Sequence, residues 1–164
     1  MSGDRPLSPA ELLAAVEALP DPDLPMVTLG DLGMVRAVRP GADGAPEVEI
    51  TPTFVGCPAV DAIERAVRDV LAAGGHPGGR VRRVLVPAWT SDRVTEDGRR
   101  KLAEHGIALP AGGAGPVPAA LCPRCGGART RPLSPFGPAR CQAIMQCTAC
   151  REPFALMRGC EAAS

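Results

Sequence analysis

The sequence predicts a small α/β (α+β) domain followed by a four-cysteine metal-binding module. Apolar periodicities over residues 8–107 follow the order α, β, β, α, β, α. Residues 108–120, ALPAGGAGPVPAA, contain no charge and no periodicity, which is typical of a linker. Two C-x2-C pairs follow. We therefore expect a first domain over 1–107, this linker, and a zinc-ribbon module over 121–164.

The first helix is predicted by its start and stop signals. Ser8 can cap the helix, Pro9 fits its first position, Glu11 completes a capping box, and Pro20 ends it. Its apolar face consists of Leu12, Leu13, Val16 and Leu19. The DPDLP stretch at 21–25 then predicts a rigid turn.

Three strands are expected in the first domain. Residues 26–39 suggest a short extended piece and then a strand, and GADGAP at 41–46 predicts a hairpin loop. The second strand is expected over 47–54, with Pro52 marking a bulge or a weak end. Its predicted inner residues are Val48, Ile50 and Phe54, and its outer residues are Glu47, Glu49, Thr51 and Thr53. VRRVLVP at 81–87 predicts the third strand.

Two more helices complete this domain. The helix after Cys57 is the most clearly patterned element, and AAGGHPGG at 72–79 ends it. Its apolar stripe consists of Val60, Ile63, Val67, Val70 and Leu71. Thr95 can cap a last helix that runs through His105 and is closed by Gly106.

Charge and hydropathy exclude several classes of protein. The formal net charge is zero at pH 7, which argues against a nucleic-acid-binding protein. No run of about 18 apolar residues is present, so no membrane partner is expected. The start, MSGDRPLSPAELL, lacks the apolar region of a signal peptide. We therefore expect a soluble cytoplasmic protein, in which the seven cysteines are metal ligands or working thiols rather than disulfides.

The C-terminal cysteines predict a structural metal site. Cys122 and Cys125 form one C-x2-C turn, and Cys147 and Cys150 form another after a gap of 21 residues. Gly126 supplies the positive φ that such a turn usually needs. Four thiolates in a tetrahedron match zinc, with iron as the alternative, and leave no open position for a catalytic water.

Cys141 and Cys160 are left outside this set. Cys141 is an alternative ligand because C-x5-C is also a usable spacing, but the matching pairs favour Cys147 and Cys150. Otherwise both leftover cysteines are interpreted as buried or incidental thiols.

Cys57 has two interpretations. It lies at the predicted helix N-cap or just before it, with Pro58 at the first helical position, where backbone N–H groups and the helix dipole stabilise an anion. It is equally explained as a small apolar residue that fills a strand–helix corner. Asp21 and Asp23 could reach the same edge of the sheet, although turn chemistry alone accounts for them.

A self-contained enzyme is weakly supported. A thiol hydrolase needs a general base that a third group orients. His76 and His105 are the two histidines, and neither lies in a motif. Both are interpreted as surface residues, so no catalytic residue is assigned.

Three short motifs of the first domain carry a family resemblance: DPDLP (21–25), LGDLGMV (29–35) and TPTFVGCP (51–58). They resemble the MIP18 family, also called the DUF59 domain. The resemblance covers residues 8–107 and implies that family's fold, an association with iron–sulfur cluster assembly, and a cluster-ligand or metal-ligand role for Cys57. The family's D-P-E is D-P-D here, which leaves the ligand role of Asp23 open.

Four further motifs extend the resemblance: PAWTSD (87–92), TEDGRRKL (95–102), GI (106–107) and CTACREPF (147–154). With them the whole chain looks like the PaaD (PaaJ) family, whose members are associated with the ring-1,2-phenylacetyl-CoA epoxidase system of phenylacetate degradation. This resemblance implies oxygenase and reductase subunits as partners and a maturation role that handles iron or an iron–sulfur centre rather than catalysis.

Alternatives stay open within this interpretation. One cysteine cannot hold a cluster, which takes four cysteine ligands as a rule. Further ligands would come from a second subunit, from Asp21 or Asp23, or from a partner. A homodimer that pairs two Cys57 sites is conceivable without any supporting sequence feature. The rival functions are a permanent structural subunit of the oxygenase, with Cys57 only packing, and a stand-alone thiol enzyme.

Overall fold

The computed structural model describes residues 5–54, 56–110 and 120–158. Within them the chain forms helices and strands in two sheets. The elements in chain order are α1 (Pro9–Glu17), β1 (Val35–Pro40), β2 (Pro46–Ile50), α2 (Ala59–Ala73), β3 (Arg80–Arg83), a 3-10 turn (Ser91–Arg93), α3 (Glu96–Glu104), β4 (Ile107–Ala108), β5 (Thr130–Ser134), β6 (Gln142–Cys147) and β7 (Pro153–Met157).

The first sheet has the order β1-β2-β3, and the second has the order β4-β7-β6-β5. In the first sheet β1 pairs antiparallel with β2 through the predicted hairpin, and β2 pairs parallel with β3 across α2. In the second sheet β5, β6 and β7 are antiparallel, and the short β4 pairs parallel with β7. None of the described helices is both long and apolar enough to cross a membrane.

Helices α1 and α3 begin where their signals predict. Ser8 and Glu11 form the capping box of α1, and Thr95 accepts a hydrogen bond from the Gly98 N–H to cap α3. The apolar stripe of α2 lies in the core, with its two central residues, Ile63 and Val67, at 2% exposure or less. The positions of these helices therefore follow from local sequence.

The second strand is shorter than predicted. It ends at Ile50, and the predicted alternation fails because Glu49, Thr51 and Thr53 are also buried. The side chain of Glu49 is covered by Arg82 and Arg39, which bind its carboxylate. Long arginine side chains can cover a sheet face in this way while keeping their charge in water.

The third strand is also shorter than predicted. Its partner β2 ends at Ile50, which pairs with Arg83, and one further backbone hydrogen bond runs from the Val84 N–H to the Ile50 carbonyl. Leu85 and Val86 are exposed at 48% and 85%.

The two sheets share a hydrophobic core. The larger core cluster is built mainly from the first domain. It also includes Ile107 of β4 and Met157 at the end of β7. A smaller cluster lies inside the second sheet and includes Cys122, Cys147 and Leu156. The second sheet is therefore docked on the first domain through β4 and β7.

The predicted linker overlaps this contact at its first residue. Ala108 belongs to β4 and pairs with Leu156 of β7. Residues 111–119 lie outside the described part of the chain, so the linker over 108–120 and the domain limits stay predictions.

The LGDLG stretch forms a tight loop against α3. The Trp89 ring is buried and donates its Nε1–H to the carbonyl of Leu32 at 2.6 Å. The Asp31 carboxylate pairs with Lys101 of α3 at 2.8 Å. Gly33 has φ +63°, and a Cβ there would lie 2.9 Å from the carbonyl carbon of Arg93 and closer still to its oxygen.

We expect Gly33→Ala to destabilise the protein by more than about 3 kcal/mol, because it adds a backbone clash to the left-handed strain of about 1–2 kcal/mol. Urea unfolding followed by circular dichroism measures this change.

Gly44→Ala is the matched control, since Gly44 has φ +81° but open space around its missing Cβ. Gly44→Ala should therefore lose only the stability that the left-handed backbone strain costs, without the clash. Equal losses in the two variants would contradict the close approach of Gly33 to Arg93.

Candidate metal centre and the Cys57 cavity

The two C-x2-C turns form matching knuckles in the second sheet. In the first, the Gly126 N–H donates to the Cys122 carbonyl at 2.8 Å, and Gly126 has φ +72° as predicted. In the second, the Cys147 N–H donates to the Glu152 carbonyl at 2.9 Å, and Arg151 takes the left-handed conformation with φ 64°. Both turns therefore aim two sulfurs inward.

The four predicted cysteines lie together. The Sγ atoms of Cys122, Cys125, Cys147 and Cys150 are all within 4.8 Å of one another. The Cys122–Cys150 sulfur distance is 3.7 Å, and the Cys125–Cys147 distance is 3.6 Å. A tetrahedral zinc ion with Zn–S bonds of about 2.3 Å requires sulfurs about 3.8 Å apart. The donor set and its spacing therefore fit one tetrahedral metal ion.

Four adjacent thiols resist joint ionisation when no cation is bound. The backbone N–H of Glu152 lowers the pKa of Cys150, yet burial and the neighbouring thiols raise it to about 12. A divalent cation removes this repulsion, because every ligand can then be a thiolate. Since four protein ligands fill the coordination sphere, this centre suits a structural role.

Cys141 is not part of this centre. It directly precedes β6, and Cys147 is the last residue of that strand. Six residues of extended chain span about 20 Å, so C-x5-C spacing cannot bring both sulfurs to one ion here. Cys160 lies outside the described residues.

A second group of polar side chains lines a small cavity in the first domain. Asp21, Asp23 and Cys57 all lie on its wall, together with apolar residues of the core. The cavity volume is about 10 Å³, roughly the space of a single water molecule. The structure thus brings the DPD turn and Cys57 to one place, a proximity that the sequence left open.

The DPD turn holds one carboxylate firmly. Asp21 Oδ1 accepts hydrogen bonds from the N–H groups of Asp23 and Leu24, each at 2.9 Å. Asp21 is buried, and burial raises the pKa of its carboxyl in spite of these bonds. Asp23 is exposed at the rim of the turn.

Cys57 immediately precedes the N-cap of α2. The cap is Pro58, and the helix begins at Ala59, one residue later than the sequence suggested. Burial is the largest influence on the Cys57 thiol and raises its pKa, and the charges of Asp23 and Asp21 raise it further. The N–H groups of Ala59 and Val60 act in the opposite direction but are outweighed. This corner therefore favours the neutral thiol, not the thiolate that the helix N-terminus alone would stabilise.

Cys141 is the residue of this cavity that sequence reasoning missed. It comes from the second sheet, is 5% exposed, and lies on the same cavity wall as Cys57. Its distance along the chain from Cys57 hides this proximity, and neither C-x2-C pair includes it. The odd number of cysteines was the one available signal.

The histidines stay apart from this group. His76 bonds the Leu7 carbonyl at 2.8 Å, and His105 bonds the Lys101 carbonyl at 2.8 Å. Neither lines the cavity that contains Cys57. Among the described residues the Cys57 thiol thus has no histidine base beside it.

We expect Asp23→Asn to speed alkylation of Cys57 at neutral pH by about 2- to 5-fold, the effect of losing a screened charge interaction of up to about 1 kcal/mol. Removal of a negative charge lowers the raised pKa, so more thiolate is present at a given pH. Iodoacetamide labelling followed by peptide mass spectrometry, as a function of pH, measures the shift.

Asp69→Asn is the control, because Asp69 is an exposed acid late in α2 that does not act on the Cys57 thiol. If Asp23→Asn leaves the pH dependence of Cys57 alkylation unchanged, the electrostatic coupling between Asp23 and the Cys57 thiol is contradicted.

We expect Cys147→Ser to abolish metal binding at the four-cysteine centre and to unfold the second sheet, because binding worth about 10–16 kcal/mol in zinc-finger peptides supplies folding free energy. Metal analysis and hydrogen exchange should show loss of the ion and of protection in residues 120–158, while α2 stays protected. Cys57→Ser should leave both unchanged. Retention of one metal ion per chain by Cys147→Ser would contradict the ligand assignment.

Family models match both parts of the chain. A model described as an iron–sulfur cluster assembly protein matches residues 9–86. A model described as the PaaD zinc beta ribbon domain matches residues 110–158, which include the four clustered cysteines.

Solved structures with the first domain's fold are also known. A DUF59 domain from Bacillus anthracis superposes with a TM-score of 0.51 at 29% identity, covering 57% of this chain and 90% of that one. A conserved hypothetical protein from Thermotoga maritima has a TM-score of 0.50 at 20% identity, covering 60% of this chain and 97% of that one, and supports the fold alone. The predicted MIP18-like fold is therefore confirmed.

Two curated relatives complete the comparison. An Fe-S protein maturation auxiliary factor of Porphyromonas gingivalis is 32% identical over 56% of this chain and 88% of its own length. A protein of Escherichia coli K12, named as a candidate component of 1,2-phenylacetyl-CoA epoxidase, is 41% identical over 147 residues, which is 88% of each chain. With both modules matched, this chain belongs to the PaaD family, in which a DUF59-type domain precedes a zinc ribbon.

Proposed function

We propose that this chain is a cytoplasmic accessory protein of a phenylacetyl-CoA epoxidase system. In this role it handles iron or an iron–sulfur centre while the complex matures and does not catalyse the oxygenation itself. Its partners are then the oxygenase and reductase subunits. The observation that carries the proposal is the cavity that joins Cys57 to Asp21 and Asp23 in a domain of the iron–sulfur assembly type.

The chemistry of this cavity suits metal handling better than covalent catalysis. Thiolate and carboxylate groups are metal ligands, and they lie together on one wall. The raised pKa of Cys57 keeps the thiol mostly neutral at pH 7, which disfavours a nucleophile but is overcome by a bound cation. The maturation factor of Porphyromonas gingivalis, which matches the first domain, supports the same function.

The zinc ribbon has a separate role in this proposal. Zinc held by Cys122, Cys125, Cys147 and Cys150 would fold the second sheet, whose own apolar cluster is small. Its outer surface would then dock the client subunits.

A second candidate function is a permanent docking component of the epoxidase, in which Cys57 only packs. The name of the Escherichia coli relative, which describes a component of the enzyme itself, favours this alternative. Co-purification with the oxygenase at a fixed stoichiometry would support it, whereas a maturation factor should dissociate once the client holds its metal.

The test is to purify the chain without oxygen and to measure zinc, iron and sulfide per chain, with Cys57→Ser beside the wild type. We expect about one zinc in both proteins, and iron in the wild type alone, because Cys57 is a ligand of the handled centre. Zinc alone in both proteins, or equal iron in both, would remove the carrier role and leave the docking role.

A further inference from the structure

The Cys57 cavity is lined by groups from both modules. Asp21 and Asp23 come from the turn after α1, and Cys57 comes from the corner before α2. Cys141 comes from the second sheet, one residue before β6. Two thiols and two carboxylates thus share a cavity that closes only because the second sheet is docked on the first domain.

Cys141 is buried but belongs to neither apolar cluster, whereas Cys122 and Cys147 both contribute to the smaller one. It lines the same cavity as Cys57, Asp21 and Asp23.

The size of the cavity limits what it can hold. Its volume is about 10 Å³, which accommodates one water molecule or one ion. An iron–sulfur cluster is larger and takes four cysteine ligands as a rule, whereas this wall offers two. Two thiolates and two carboxylates do, however, make a complete four-ligand set for a single divalent transition-metal ion.

We propose that Cys141 completes, with Cys57, Asp21 and Asp23, an intramolecular site for one ferrous ion that bridges the two modules. This inference rests on the proposed function and narrows its cargo from an iron–sulfur cluster to a mononuclear ion. On binding, each thiol releases its proton to solvent and the ion takes the place of both protons.

In this structure the four groups of the proposed site are not yet close enough together to share one ion. Among the described residues only the four ribbon cysteines have their ligand atoms within 4.8 Å of one another, so the four groups of this cavity must converge on the ion. Cys57 is half-buried and Asp23 is exposed, while Asp21 and Cys141 are buried. Cys57 and Asp23 therefore form the accessible side, through which the ion enters and through which a client ligand can exchange.

The test uses the full chain with zinc in its ribbon. Anaerobic equilibrium dialysis against Fe²⁺, without sulfide, gives the iron bound per chain and its dissociation constant. The wild type should bind one iron in addition to its zinc. Cys57→Ser and Cys141→Ser should each weaken iron binding by at least about 100-fold. Loss of a residue that only hydrogen-bonds a metal ligand already lowers metal affinity 10- to 100-fold, and loss of the ligand itself should cost more. Co²⁺ in place of Fe²⁺ should show thiolate charge-transfer absorption that falls in both variants.

Cys160→Ser is the matched control, because it makes the same chemical change at a cysteine outside both ligand sets, and it should bind iron as the wild type does. If Cys141→Ser fails to fold, as its circular dichroism or lost zinc would reveal, Asp23→Asn replaces it. That substitution changes an exposed group and should also weaken iron binding.

The outcomes separate this inference from the proposed function. Normal iron binding by Cys141→Ser, together with loss in Cys57→Ser, overturns the role of Cys141 and leaves the carrier role of Cys57 standing. Sulfide in equal amount to iron in the anaerobically purified protein overturns the single ion and leaves a cluster. A wild type that binds no iron overturns both proposals.

Discussion

The structure of the C-terminal module depends on four sulfur atoms that must lie within 4.8 Å of one another. Its apolar cluster is small, and two of its buried members, Cys122 and Cys147, are themselves in the sulfur group. A module of about 40 residues with so little apolar burial does not fold alone, so metal coordination and docking on the larger core must supply the difference. The docking contact is made by Ile107 and Met157, which lie in the core of the first domain.

The four-cysteine centre also affects the Cys57 cavity, because strand β6 connects the two. Strand β6 ends at Cys147, a member of the sulfur group, and begins directly after Cys141, on the cavity wall. The strand is paired on both sides, by β5 and by β7, and is therefore stiff. A metal ion at one end fixes where the thiol at the other end lies, about 20 Å away. The ribbon thus positions the Cys141 thiol, which we propose as a metal ligand.

The sequence was sufficient wherever the relevant interactions are local. The capping box of α1, the cap of α3 and the two C-x2-C knuckles are each set by residues a few positions apart, and all were predicted correctly. The burial of Glu49 was not predictable, because arginines from two neighbouring strands determine it. The proximity of Cys141 to Cys57 was hidden for the same reason: it follows from how two modules dock, and no periodicity encodes that contact.

Cys57 shows how burial can reverse a local expectation. The start of α2 does offer N–H groups that lower the pKa of the thiol, but desolvation and two nearby carboxylates raise it more. In the site that we propose, a bound cation replaces the thiol proton, and the same carboxylates then stabilise the bound state instead of opposing it. An uncharged resting thiol resists oxidation and adventitious reaction, since the thiolate is the reactive form.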